Sequence, residues 1–155
     1  MPDPIEEEHS LPEQLHCAIL RQCHQGYQLY DQGNYKQALL VFYKAWISIP
    51  KPQAKWQEST WVLTALGDAY LKKGDYAAAC EALRTALRCH LALDNPVIHL
   101  KLAQSYVGAR KHDLAKEHFM KAISGGGCEI VSALPAKYNS YIEPLIQQLE
   151  TENNG

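Results

Sequence analysis

The stretch LGDAYLKKGDYAAACEALRTAL, residues 66–87, decides the reading of the whole chain. It consists of strong helix formers, yet Gly67 and Gly74 interrupt it, and a glycine inside a helix costs about 1 kcal/mol relative to alanine. Two separate roles account for them. At Gly74 the chain turns between antiparallel helices, which needs a residue that accepts positive φ, and Asp75 then offers its carboxylate to the free N–H groups of the next helix. Gly67 lies within the first helix, opposite the Ala79 and Ala86 side of the second, where a missing side chain lets the helices approach closely. A helix ending near Lys73 and another running from Asp75 to about Leu91 therefore form a hairpin.

The same arrangement recurs on both sides. Upstream, Ser10 and Glu13 have capping-box spacing with Pro12 in the first turn, which predicts a helix to about Gln32. Gly33 ends it, Asn34 caps a second helix through about Ile49, and Pro50 stops that one. Downstream, Asn95-Pro96 starts a third pair that turns near Arg110-Lys111-His112 and continues through about Ser124, where Gly125, Gly126 and Gly127 break it. Position by position, Gly26, Gly67 and Ala103 align, as do Ala38, Ala79 and Ala115; Phe42, Leu83 and Phe119; and Ala45, Ala86 and Ala122. The registers are 41 and 36 residues apart, so a unit of about 34 residues repeats with short insertions between copies.

Leu66-Gly67, Tyr70, Gly74-Asp75-Tyr76, Ala79, Leu83 and Ala86 resemble the tetratricopeptide repeat, and Gly26, Gly33-Asn34-Tyr35, Ala38, Phe42, Ala45 and Pro50 match a second copy. The third keeps Leu102, Tyr106, Ala115, Phe119 and Ala122, with Ala103 for the glycine and Arg110 at the turn. The resemblance places repeats at about residues 19–52, 60–93 and 96–129 within one domain over 10–150. It implies an all-α, three-repeat right-handed superhelix of helical hairpins that binds a protein or peptide without catalysis.

In that family the first helix of each pair lines the concave surface. The corresponding residues are Leu20, Cys23, Tyr27 and Tyr30 in copy one; Trp61, Thr64, Asp68 and Leu71 in copy two; and Val97, Leu100, Lys101, Gln104 and Val107 in copy three. This set is mainly apolar and aromatic, which suits burial of a ligand's hydrophobic anchors. A subset of the family clamps carboxylates with lysines and asparagines on the same face. Here Cys23 and Tyr27 stand at such positions and only Lys101 is suitably basic, so the clamp is not expected. An adaptor or chaperone-like module is the primary expectation. A self-assembling structural subunit, possible as a homo-oligomer, is the alternative. The repeat number and terminal helix are also similar to the translocator chaperones of bacterial type III secretion, where the seven-residue insertion is not expected.

Tyr138, Tyr141, Ile142, Leu145, Ile146 and Leu149 form one helical stripe, predicting a seventh helix over about 135–150 that covers the last hairpin and is kinked or split at Glu143 by Pro144. Residues 1–9 read as a disordered acidic tail. A net charge of −2 and pI near 6.4 supply no attraction for nucleic acid or anionic membrane, and no apolar run nears 18 residues. Five cysteines without a CxxC pair fit a reducing, cytoplasmic setting.

Other clusters carry no expected chemistry. The His16-Cys17 and Cys23-His24 pairs are about 10 Å apart along one helix, too far for a single zinc ion. No nucleophile motif accompanies any cysteine, and no cofactor is expected. The Ser124–Gly127 run lacks the Lys-Ser/Thr of a phosphate loop, and Arg110-Lys111-His112 reads as a solvated corner. Trp46, Trp56 and Trp61 gather around the insertion at 51–57, which is expected to lengthen the next helix from near Pro52. They read as a local core, with a binding hot spot as the alternative.

Overall fold

A computed structural model describes residues 9–155, with no strand among them. Residues 1–8, most of the expected tail, lie outside the described residues. Among the described residues, helices α1 (Glu13–Asp31), α2 (Tyr35–Ser48), α3 (Gln57–Lys73) and α4 (Tyr76–Leu87) belong to one compact unit that ends at Leu93. A second unit begins at Asp94 and holds α5 (Pro96–Gly108), α6 (His112–Gly126) and α7 (Asn139–Asn153).

In the first unit α1 pairs with α2 and α3 with α4, while α2 also packs on α3. Gly33 and Gly74 turn the hairpins at φ of 79° and 86°. The Asn34 N–H donates to the Leu29 carbonyl and the Asp75 N–H to that of Tyr70, both at 2.9 Å, so each glycine closes its helix with the same six-residue bond. The aligned residues Ala38, Phe42, Ala45, Ala79, Leu83 and Ala86 are fully buried. A Cβ on Gly67 would lie 2.5 Å from Leu83 Cγ, and one on Gly26 would run into the Phe42 ring. The close approach expected at Gly67 is therefore present. Its contact is Leu83, which sits between the two alanines the sequence pointed to.

Several local expectations are corrected. Ser10 does not cap α1: Pro12 occupies the N-cap, and the Ser10 hydroxyl donates to Glu58 Oε1 at 3.2 Å. A buried carboxylate in need of donors outcompetes a solvated helix start. The Asn34 side chain donates to Gln32 Oε1 rather than capping α2. The insertion does not extend α3 but forms a separate 3-10 turn, Gln53–Lys55, folded back on the end of α2. Gln53 Nε2 donates to the Trp46 carbonyl at 2.9 Å and Trp56 Nε1 to that of Pro50 at 3.0 Å. Trp46 and Trp56 are half-buried, whereas Trp61 is 40% exposed. Helix α4 stops at Leu87, short of Leu91, because the His90 N–H donates to the Ala54 carbonyl and Leu91 takes positive φ. His9, the last residue of the expected tail, stacks on His90 with ring centroids 3.8 Å apart.

In the second unit Asn95 Oδ1 accepts the N–H groups of Val97 and Ile98 at 3.0 and 3.3 Å, with Pro96 in the first turn. Arg110, at φ 60°, makes the turn that glycine makes elsewhere. Ala103, Ala115, Phe119 and Ala122 are fully buried, repeating the register. Gly125 and Gly126 do not break α6; the helix ends at Gly127, where φ is 76°. A Cβ on Gly126 would lie 2.8 Å from Ile130 Cδ1 and 3.2 Å from Pro96 Cβ, so that glycine serves close packing within a helix. Helix α7 buries Ile142, and Tyr138 just before it meets the Phe119 ring edge-on at 6.0 Å. Pro144 does not split α7 at Glu143. It falls in the second turn, where the carbonyl it deprives of an amide is that of exposed Ser140, open to solvent.

Candidate functional site

The residues singled out in the first unit lie along α1 and α3, and two of them, Tyr27 and Tyr30, also meet Phe42 and Tyr35 of α2. Leu20 is 44% exposed and Trp61 40%, both large for surface apolar groups. Cys23, Tyr27, Tyr30, Thr64 and Leu71 are half-buried. The helical spacing that exposes them also buries Ile19, Gly26, Val62 and Leu66 against the neighbouring helices. Tyr27 holds an edge-on contact with Phe42 at 5.1 Å and another with Tyr30 at 5.7 Å, so an aromatic ladder runs from the core to the surface.

Asp68 is buried at 8% exposure, and the Tyr30 hydroxyl donates to its Oδ1 at 3.2 Å. That bond joins α1 to α3 and occupies the only acidic side chain in the set. Thr64 donates its hydroxyl to its own helix at the Thr60 carbonyl, 2.6 Å away. Burial pushes the Cys23 thiol up to about 11, which keeps it a neutral thiol near pH 7. Burial, with the Asp68 charge added, also raises Tyr27 and Tyr30, so both keep their hydroxyl protons. Apart from the buried Asp68 carboxylate, the side chains of this set are uncharged, apolar or hydroxyl-bearing, with Cys23 held as a thiol.

In the second unit, α5 presents Val97 at 46% exposure, with Leu100, Lys101, Gln104 and Val107 half-buried. Its opposite side buries Ile98, Leu102 and Tyr106. Among the described residues no group of three His, Cys, Asp or Glu is placed to hold a metal ion.

Two polar clusters escaped the sequence reading. Glu58 is fully buried, and its Oε1 takes the Ser10 hydroxyl and the Leu11 N–H at 3.2 Å and His16 Nδ1 at 2.8 Å. Its partners lie more than forty residues upstream, and the only signal in the sequence was an acidic residue in the first turn of a helix. His99 and His118 are the second cluster, buried between α5 and α6 with their Nδ1 atoms 2.9 Å apart. Burial lowers His118 to about 4, with the neighbouring His99 adding to the effect. The bond requires one Nδ1 to donate and the other to accept, and burial keeps His118 neutral near pH 7.

The tetratricopeptide repeat family model matches residues 62–88 and 97–124, which fall in the second and third hairpins. The chain is similar to the Tonsoku-like protein of Danio rerio, 43% identical over 63 residues; the match covers 37% of this chain and only 4% of that protein. Its fold is like that of the NMR structure of the first TPR domain of the human RPAP3 protein, with a TM-score of 0.62 over 88% of this chain and 96% of that one. At 15% identity this is a likeness of fold alone.

Proposed function

The chain belongs to the tetratricopeptide repeat family, whose members bind other proteins or peptides, and we propose that it is a non-catalytic interaction module. Each unit offers its own surface for a partner's apolar segment, on the first helices: α1 and α3 in the first unit, α5 in the second. The observation that carries this reading is the exposure of Leu20, Trp61 and Val97, one large apolar side chain on each first helix. Tyr27, Tyr30 and Leu100 extend these surfaces, and the Asp68 carboxylate is already engaged by Tyr30. Such side chains gain by leaving water, whereas an adaptor that clamps carboxylates needs lysines and asparagines where this chain has Cys23 and Tyr27. Cys23, Cys80 and Cys89, free thiols packed on or beneath helices, support a reducing cytoplasmic setting.

The test is a titration of the partner recovered from source-cell lysate and then purified, against Tyr27→Ala, Trp61→Ala, Leu100→Ala and Lys101→Ala. Circular dichroism confirms the folding of each variant. Each of the first three is expected to weaken binding by about 1 to 4 kcal/mol, with little change on raising salt, because lost apolar burial is not screened. Lys101→Ala matters less. A dominant Lys101 effect with steep salt dependence would replace the apolar reading by a charge clamp.

A further inference from the structure

The outward face of α2 carries a second apolar stripe, away from the first-helix surfaces. Leu40, Tyr43 and Ile47 are 62%, 55% and 61% exposed, and their spacing of three and four places them in one line on the helix. Exposed Lys36 and Lys44 flank the line, and α2 contains no acidic residue. Single exposed apolar side chains are ordinary; a contiguous row of three is not.

The repeat supplies an internal control. Forty-one residues on, the matching positions hold Glu81 and Arg84 of α4 and Arg88 just past its end; a further 36 on, those of α6 hold Glu117, Met120 and Ser124. Glu117 there pairs with Lys121 at 3.2 Å. The three positions are charged and exposed in the second copy, and in α6 Glu117 and Ser124 are exposed on either side of a half-buried Met120. In α2 the same positions are built for a partner.

We propose that this face of α2 docks an amphipathic helix of another protein, with an apolar stripe that covers Leu40, Tyr43 and Ile47 and acidic residues that meet Lys36 and Lys44. Charge complementarity favours this occupant over a second copy of the chain. Two α2 helices face to face would bring four lysines together without a carboxylate on either helix.

A synthetic helical peptide tests this on the full chain: leucines at i, i+3 and i+7 with glutamates on both flanks, against the same peptide with lysines for the glutamates. By fluorescence anisotropy the acidic peptide should bind at least about tenfold more tightly at low salt, with the gap shrinking as salt rises. The triple variant Leu40→Glu/Tyr43→Arg/Ile47→Arg, which installs the residues of the second copy, should abolish binding. Lys36→Glu/Lys44→Glu, which leaves the apolar row intact, should reverse the preference. Trp61→Ala should leave binding unchanged, which separates this surface from that of the proposed function. Failure of the acidic peptide to bind, equal affinity for both peptides, or persistence of binding in the triple variant would overturn the proposal. So would a concentration-dependent dimer in sedimentation that the triple variant loses, which assigns the face to a second copy. Binding that emerges only after deletion of residues 1–8 would assign it to the chain's own segment.

Discussion

The second hairpin, α3–α4, and the third, α5–α6, bury the same register of residues with different local chemistry. The second has Gly67 in its first helix, Gly74 at positive φ, and Asp75 Oδ1 accepting the Ala78 N–H at 3.3 Å. The third has Ala103, Arg110 and Lys111 at those places, and Lys111 makes no side-chain cap. Even so, the Asp75 N–H reaches the Tyr70 carbonyl and the Lys111 N–H that of Tyr106, both at 2.9 Å. The turn geometry is thus set by the packing of two apolar helix faces, and the local residues only adjust its cost. A left-handed conformation costs a non-glycine residue about 1 to 2 kcal/mol, which the buried Ala115–Phe119–Ala122 face of α6 outweighs.

Three tests probe the difference, the largest effect first. Gly67→Leu should destabilise the first unit by about 3 kcal/mol in urea unfolding, since overpacking against Leu83 exceeds the gain in helix propensity of about 1 kcal/mol. A variant as stable as the parent would show that the close approach is not required, and the contrast with Ala103 would vanish.

The second probe uses the buried histidine pair, which the second hairpin lacks. His118 titrates at about 4 in the folded chain and near 6.5 when unfolded, so between these values the unfolded state binds more protons. Its stabilising effect is complete above about pH 6.5 and is lost as pH falls towards 4, by about 1 to 3 kcal/mol. Thermal melts of parent and His118→Gln from pH 7.5 to 4 should converge on acidification. Parallel curves would show that the pair does not couple folding of the second unit to protons.

The smallest effect belongs to the turns. Arg110→Gly should stabilise by about 1 kcal/mol by relieving the positive φ, and Gly74→Arg should lose a similar amount. Equal and opposite shifts in the urea midpoints would confirm that the two turns are interchangeable in geometry. No shift at Arg110 would mean that its side chain already offsets the strain.

The candidate face was legible to the degree that it follows from helical period: the exposure of Leu20, Trp61 and Val97 requires only that the opposite face be buried. The state of Asp68 was not, because the Tyr30 hydroxyl that meets it lies 38 residues away on another helix. The apolar row on α2 was present in the repeat alignment. It gained meaning only when Leu40, Tyr43 and Ile47 proved to face water where the second copy places charges.

By itself the sequence determined the helical pairs, their register and the places where the chain must turn, because each depends on residues within a few positions or on a pattern repeated along the chain. It determined as well that small residues at positions 26, 67 and 103 lie in close-packed helices. The tertiary structure decided which polar groups were used. Ser10 serves Glu58 rather than its own helix, Asn34 leaves α2 uncapped, and the His90 N–H ends α4 by choosing Ala54. A polar side chain has several partners within reach, separated by about 1 kcal/mol, and burial elsewhere in the fold makes the choice among them.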